Sequence, residues 1–325
     1  MKVQRGIEAE GGPHRGIHWF AIILAGMTLV LLIAGALVTT RDAGDSVPDW
    51  PLSFGRWLIH SDHFVANVRY EYSHRFIAGV VGVTTFAFAV AAYLSDRRRW
   101  FRRLAIILFL GVVAQALIGG IRVLFPTYKP LIAVPHALVA QSFFSTIVAM
   151  AVFTSKSWWE RKEAGADHGS PPLRRLSAVT VGAVLVQLVL GAGFRHQAFG
   201  IVPHIIGAVA VTALVVWTAA VVFGRHGEDV FLKRPASLAL ALLLAQIVLG
   251  VASYLARLAS HGDPQPLEPL ITLTALHLIV GACTLATLVV LTLRSHRVLA
   301  VRPEQAERKA GGPSETLRSP RGATV

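Results

Sequence analysis

The chain has 325 residues, of which 54% are hydrophobic and 15% charged, against about 25% charged in ordinary soluble domains. That balance, with a mean hydropathy of +0.58, excludes a soluble enzyme, a nucleic-acid-binding domain and a disordered chain, because a water-soluble fold of this length needs far more polar surface. The formal charge is +13, and the single cysteine, Cys283, excludes a disulfide framework within the chain.

In chain order, eight apolar runs are long enough to cross a bilayer as helices, which takes about 20 residues each. They cover 19–39, 72–94, 104–124, 132–154, 176–194, 203–223, 237–256 and 270–293. Backbone groups in lipid must be satisfied within each span, so helices are the expected elements. The first run is too long for the apolar region of a signal peptide, and no clear cleavage site follows Gly35-Ala36, so it is expected to stay as a span. With the N-terminus inside, 23 of the 31 Lys and Arg residues fall on cytoplasmic segments, Arg97, Arg98 and Arg99 among them. This positive-inside bias predicts that both termini are cytoplasmic. The basic residues are scattered over five loops and tails, so the expected partner is the lipid bilayer and not nucleic acid.

The predicted architecture is an all-α integral membrane protein made of two duplicated four-helix bundles. A cytoplasmic segment over 1–18 precedes the first bundle, 19–154. A cytoplasmic linker over 155–175 leads to the second bundle, 176–293, and to a tail over 294–325 whose composition reads as disordered. The duplication rests on repeated patterns. Gln115 and Gly119 in the third run recur as Gln187 and Gly191 in the fifth and Gln246 and Gly250 in the seventh. Pro135-His136 in the fourth run recurs as Pro203-His204 in the sixth, while the second and eighth carry His74 and His277. A unit of four helices repeats in the same orientation, with its pseudo-two-fold axis along the membrane normal. The alternative is that Gln and Gly recur simply for helix packing.

Of the thirteen histidines, nine fall in predicted loops or tails and read as solvated surface. His74, His136, His204 and His277 lie inside spans, one per even-numbered helix, each near the predicted outer boundary. A lone membrane histidine is usually a hydrogen-bonding residue between helices; four at one depth point to metal or haem ligation, since imidazole is a common axial haem ligand. A zinc site would ordinarily bring carboxylates or thiolates, and Glu71 is the one carboxylate near this layer. The duplication pairs His74 with His136 and His204 with His277. Arg122 and Arg195, at the outer ends of the third and fifth helices, are candidates for the haem propionates, with snorkelling to the interface as the alternative.

These residues, in this order, resemble the haem A synthase family of bacteria and mitochondria over about residues 19–293. The match is carried by Glu71-Tyr72-Ser73-His74-Arg75, by Pro48-Asp49-Trp50-Pro51-Leu52 in the first outer loop after Gly35-Ala-Leu-Val-Thr39-Thr-Arg41, and by the histidines of the fourth, sixth and eighth helices. The resemblance implies oxidation of the C8 methyl of haem O to a formyl group by successive hydroxylations, giving haem A for terminal oxidases. It further implies that His74 and His136 serve the substrate haem, that His204 and His277 hold a haem b, and that Glu71 is catalytic. A haem O synthase, oxidase assembly factors and an electron partner are the implied associates, and a bacterial plasma membrane the implied location. Many bacterial members carry a cysteine pair flanking the loop motif; here Val47 and Ser53 stand at those positions, so no thiol relay operates in this loop.

Glu71 and His74 are three apart and share a helix face. From there Glu71 could take a proton or stabilise positive charge on the substrate methyl; an exposed ion pair with Arg75 is the alternative. Asp49 and Trp50 could cover the first-half site, or Trp50 could simply anchor at the interface. Two rival functions remain open at this point. One is a diheme cytochrome b that carries electrons without modifying haem, although such proteins usually place two ligands on one helix. The other is a duplicated transporter, which lacks the broken helices and mid-membrane acids that chemistry needs.

Overall fold

The computed structural model describes residues 14–161, 165–167, 169–260 and 267–300. The expected disordered tail beyond residue 300, most of the N-terminal segment, His168 and His261 lie outside the described residues. Eight helices are long and apolar enough to span a membrane. They are α1 (Arg15–Thr40), α2 (Val68–Ser95), α3 (Arg99–Leu124), α4 (Lys129–Thr154), α5 (Leu173–Arg195), α6 (Val202–His226), α7 (Val230–Ala259) and α8 (Glu268–Val298). A one-turn helix, Lys156–Glu160, follows α4, and two-residue strands, Gly165–Ala166 and Leu299–Ala300, pair in parallel.

Helix starts follow local chemistry. The Asp229 carboxylate accepts from Phe231 N–H at the head of α7, and Asp167 accepts from Leu173 and Arg174 N–H at the head of α5, satisfying donors that have no intrahelical partner. Pro203 and Pro269 stand in the first positions of α6 and α8, where a missing N–H costs nothing. Several helices run past the expected apolar stretches: α1 begins at Arg15, α3 at Arg99, and α8 ends at Val298. Helix α7 begins at Val230, so Lys233, Arg234 and Pro235 lie within it; long cationic side chains reach back to the polar boundary, and proline is tolerated in opening turns. Helix α2 begins at Val68 and takes Arg69 and Glu71 into its first turn.

Helices α1 to α4 close into a ring, each packing on its neighbours, and α5 to α8 close into a second ring. The rings meet through α4 against α8, with α1 on α8 balanced by α4 on α5. That exchange of equivalent contacts is what a pseudo-two-fold relation between duplicated halves requires. The first ring is filled by Leu24, Val81, Phe88, Phe101, Ile147 and Met150, the second by Val184, Val215, Leu243, Leu285 and Leu288. Leu32, Phe144, Ala282 and Ala286 fill the seam. Helices α3 and α7, farthest from the seam, leave Ile107, Leu110, Leu244 and Val248 exposed, as a lipid-facing surface does.

Candidate functional site

The long α1–α2 loop marks one face of the bundle, the loop face. All four span histidines lie toward it: His204 in the first turn of α6, His74 and His136 at about the second turn of α2 and α4, and His277 in the third turn of α8. Each imidazole lies against a glycine of the preceding helix. A methyl built on Gly35 would stand 3.1 Å from His74 Cε1, on Gly119 3.4 Å from His136 Cε1, on Gly191 2.9 Å from His204 Cε1, and on Gly250 3.0 Å from His277 Cε1. The repeat is therefore finer than the sequence suggested: four helical hairpins, each seating a histidine of its second helix on a glycine of its first.

The second-half rings come together across the α5–α8 bundle. His204 and His277 have centroids 6.4 Å apart and planes at 80°. Metal–imidazole bonds of about 2 Å, with each centroid roughly 1 Å behind its Nε2, place two axial rings on one metal about 6 Å apart. The separation of the two rings matches that spacing. His277 Nδ1 lies 3.1 Å from the Gln246 carbonyl, which holds the proton on Nδ1, and its Nε2 faces the Gln246 side-chain amide nitrogen at 3.4 Å, a contact that a metal at Nε2 would replace. In the first half, His74 is half-buried, with His136, Arg122 and Arg75 as its titratable neighbours. The Nδ1 atoms of His74 and His136 are buried without a hydrogen-bond partner. Buried ring nitrogens without a partner are places where a further polar group is expected.

The α1–α2 loop closes over this first-half layer. Arg75 Nη1 donates to the carbonyls of Asp49 (2.6 Å) and Leu52 (3.1 Å), and its Nη2 donates to the Val47 carbonyl (3.1 Å) and to Glu71 Oε1 (2.6 Å). Val47 N–H donates to Glu71 Oε2 (2.9 Å). Glu71 is buried, so its ion pair with Arg75 is an internal clasp and not the exposed pair considered from sequence. The Asp49 carboxylate accepts from Phe54 and Gly55 N–H, both at 2.7 Å. Burial raises its carboxyl, and those two donors with Arg75 outweigh the effect and hold it below its ordinary range. The Trp50 indole lies directly on Gly120, the neighbour of the glycine that seats His136.

The Arg122 guanidinium packs against Gly44 of the loop and lies near His74 and His136. Arg195 sits at the seam between halves, where its Nη2 donates to the Thr39 carbonyl at 2.9 Å. Arg41 joins the halves a second time, through Glu268 at 2.9 Å. His196, read from sequence as solvated surface, is half-buried beside these groups. Burial, with Arg195, Arg122 and His136 nearby, pushes its imidazole down to about 4. No sequence signal separated it from an ordinary loop histidine. His18, also read as surface, bonds the Ala151 carbonyl at 2.9 Å.

The sequence model described as cytochrome oxidase assembly protein matches residues 18–203. Among curated relatives, "Heme A synthase" of Staphylococcus haemolyticus is 27% identical over 184 residues, covering 56% of this chain and 59% of that protein. "Heme A synthase" of an Exiguobacterium species is 30% identical over 138 residues, covering 42% and 45%. That of Geobacillus kaustophilus is 29% identical over 136 residues, covering 41% and 42%. The chain thus spans about half the length of the curated relatives it matches. The family match takes in the loop motif, Glu71, His74 and His136 and ends just before His204. Because it covers more than half of the chain, this protein belongs to the cytochrome oxidase assembly protein family, the haem A synthase family that its motifs resemble.

Proposed function

We propose that the chain is a haem A synthase, oxidising the C8 methyl of haem O to a formyl group by successive hydroxylations, with haem O bound between His74 and His136 and a resident haem b between His204 and His277. The observation that carries this reading is the pair of second-half imidazoles at single-iron spacing, 6.4 Å apart, in a chain of this family. Bound there, haem b supplies one-electron transfer to the reaction.

The chain's own groups have separable tasks. His74 and His136 orient the substrate's iron, and the glycines beside the rings let the Cε1 edges of the imidazoles approach the neighbouring helices closely. Arg122 offers a cation to a propionate at the first-half site; Arg195, with one donor committed to Thr39, serves the same end of the molecule at the seam. Trp50 and the loop from Val47 to Leu52 exclude water from the first-half layer, which strengthens every charge inside it. Glu71, one turn from His74, is the catalytic carboxylate of this proposal. With both oxygens engaged by Arg75 and Val47, it acts as a fixed charge at the substrate edge while the loop is closed.

The proposed setting is a bacterial plasma membrane, with both termini cytoplasmic and the loop face outside. A haem O synthase supplies the substrate, oxidase assembly factors take the product, and a separate carrier exchanges electrons. Acid extraction of the purified protein tests the reading: haem B together with haem O, its alcohol or haem A is expected. Haem B as the sole extractable haem, under conditions where haem O is present in the cells, would favour a simple electron-carrying cytochrome.

A further inference from the structure

The α1–α2 loop has two parts. The stretch from Val47 to Leu52 is fastened to α2 by Glu71 and Arg75. Residues 54–65 take no part in that clasp and are built on their own contacts. Ser53 and Arg56 exchange backbone hydrogen bonds of 2.8 and 3.2 Å, the Phe54 ring stacks on His63 with centroids 4.5 Å apart, and a 3-10 turn covers Ser61–His63. On this frame Trp57 and Leu58 are 75% and 69% exposed, and Phe64 and Val65 are exposed with them. Large apolar side chains clustered on the outside of a built loop mark an interaction surface.

Where this surface leads identifies what covers it. Phe64 meets the Tyr72 ring edge-on, with centroids 6.3 Å apart. Tyr72, Phe76, Val80 and Val83 follow one another at spacings of four, four and three, so they share one face of α2. Phe76, Val80 and Val83 are exposed, as lipid-facing residues are. The apolar side of the loop therefore runs into the lipid face of α2 without a break. Tryptophan and tyrosine favour the boundary between headgroups and acyl chains. Arg56 and Arg69, which flank the apolar residues in sequence, are exposed, and Arg69 donates to the Tyr70 hydroxyl at 3.1 Å. Asp62 is the one carboxylate in residues 54–69, and it lies 2.9 Å from His60 Nδ1. Cations flanking an apolar centre suit phosphate headgroups above acyl chains.

We propose that residues 54–65 form an interfacial anchor, which sets Trp57, Leu58, Phe64 and Val65 into the headgroup zone of the leaflet on the loop face, with Arg56 and Arg69 against lipid phosphates. The cover of the first-half layer is then held to the protein at one end and to the bilayer at the other. The anchor is independent of what that layer binds.

The test uses the full-length protein in nanodiscs of phosphatidylcholine and phosphatidylglycerol. The single cysteine, Cys283, is replaced by serine, and a nitroxide label is placed in turn at Leu58→Cys, at Val65→Cys and, on the polar stretch between them, at Ser61→Cys. Collision of each label with oxygen, which concentrates in the bilayer, is compared with collision with a water-soluble nickel chelate. Labels at positions 58 and 65 are expected to favour oxygen, and the label at 61 the chelate. A label at 58 or 65 that favours the chelate would place the surface in water, and one shielded from both reagents would place a protein partner or a second copy there; either result would overturn the proposal. Glu71→Gln separates the two fastenings. With the clasp weakened, the label at 58 is expected to keep its preference for oxygen; a switch to the chelate would show that the clasp alone holds the loop down, and would overturn the proposal as well.

Discussion

Glu71 Oε1 lies 2.6 Å from Arg75 Nη2 in a pair whose side chains are 4% and 15% exposed. Between them the two residues hold the backbone of Val47, Asp49 and Leu52. One turn of α2 therefore carries both a haem-ligand candidate, His74, and the fastening of the loop that covers it. The proposed catalytic carboxylate and the loop closure are one physical unit.

Breaking this clasp is expected to open the loop. Removing one partner of a buried pair typically costs about 3–5 kcal/mol, because the other charge stays behind unpaired; Arg75 keeps three carbonyls, so the lower end applies to Glu71→Gln. Hydrogen exchange at Val47 through Ser53 should rise in both Glu71→Gln and Arg75→Gln, and extracted haem A should fall. A chemical role for Glu71 adds a difference between them: Arg75→Gln keeps the carboxylate and should retain more haem A. Wild-type exchange and wild-type haem A in Glu71→Gln would retire both roles.

The glycine seats give a sharper contrast. A methyl on Gly191 or Gly250 meets the histidine ring at 2.9 or 3.0 Å, whereas one on Gly182 meets nothing within 4 Å. Gly191→Ala and Gly250→Ala should therefore lower haem B occupancy and alter the low-spin spectrum by displacing the rings. Gly182→Ala, in the same helix as Gly191, should keep wild-type occupancy and gain up to about 1 kcal/mol from helix propensity. Equal spectra in all three variants would detach the glycines from ligand placement.

How much of this was legible in the sequence follows from the range of the interactions. Spans read well because lipid demands long apolar runs, and all eight are present. The start of α7 did not, because Lys233-Arg234-Pro235 looks like a loop until Asp229 is seen capping the helix ahead of it. The four histidines were legible as a layer, and the glycines and glutamines as a repeat. Which glycine seats which ring was not, since helix spacing says nothing of how two helices cross. Glu71 and Arg75 were legible as an i,i+4 pair, but their burial depends on a loop folding back over α2. His196 was misread for the same reason: a place in a loop does not fix exposure at a seam between two bundles.

Orientation makes a separate prediction. Reporter fusions after Asp45, Tyr128 and Ala198 should report the outer compartment, and those after Arg98, Gly165 and Glu228 the cytoplasm. The loop face would then be outside, as the Lys and Arg bias requires. A reversed pattern would put the histidine layer near the cytoplasmic boundary and change which side supplies substrate.

The central claim is that this chain converts haem O to haem A. Expression in a bacterial host that makes haem O but lacks its own haem A synthase tests it most directly, with haems extracted from membranes and separated by chromatography. The account predicts haem A, together with the alcohol intermediate, in cells carrying the wild-type chain, and haem O alone in cells carrying His74→Ala. Membranes in which the wild-type protein is assembled with haem B, yet haem O remains unconverted, would contradict it.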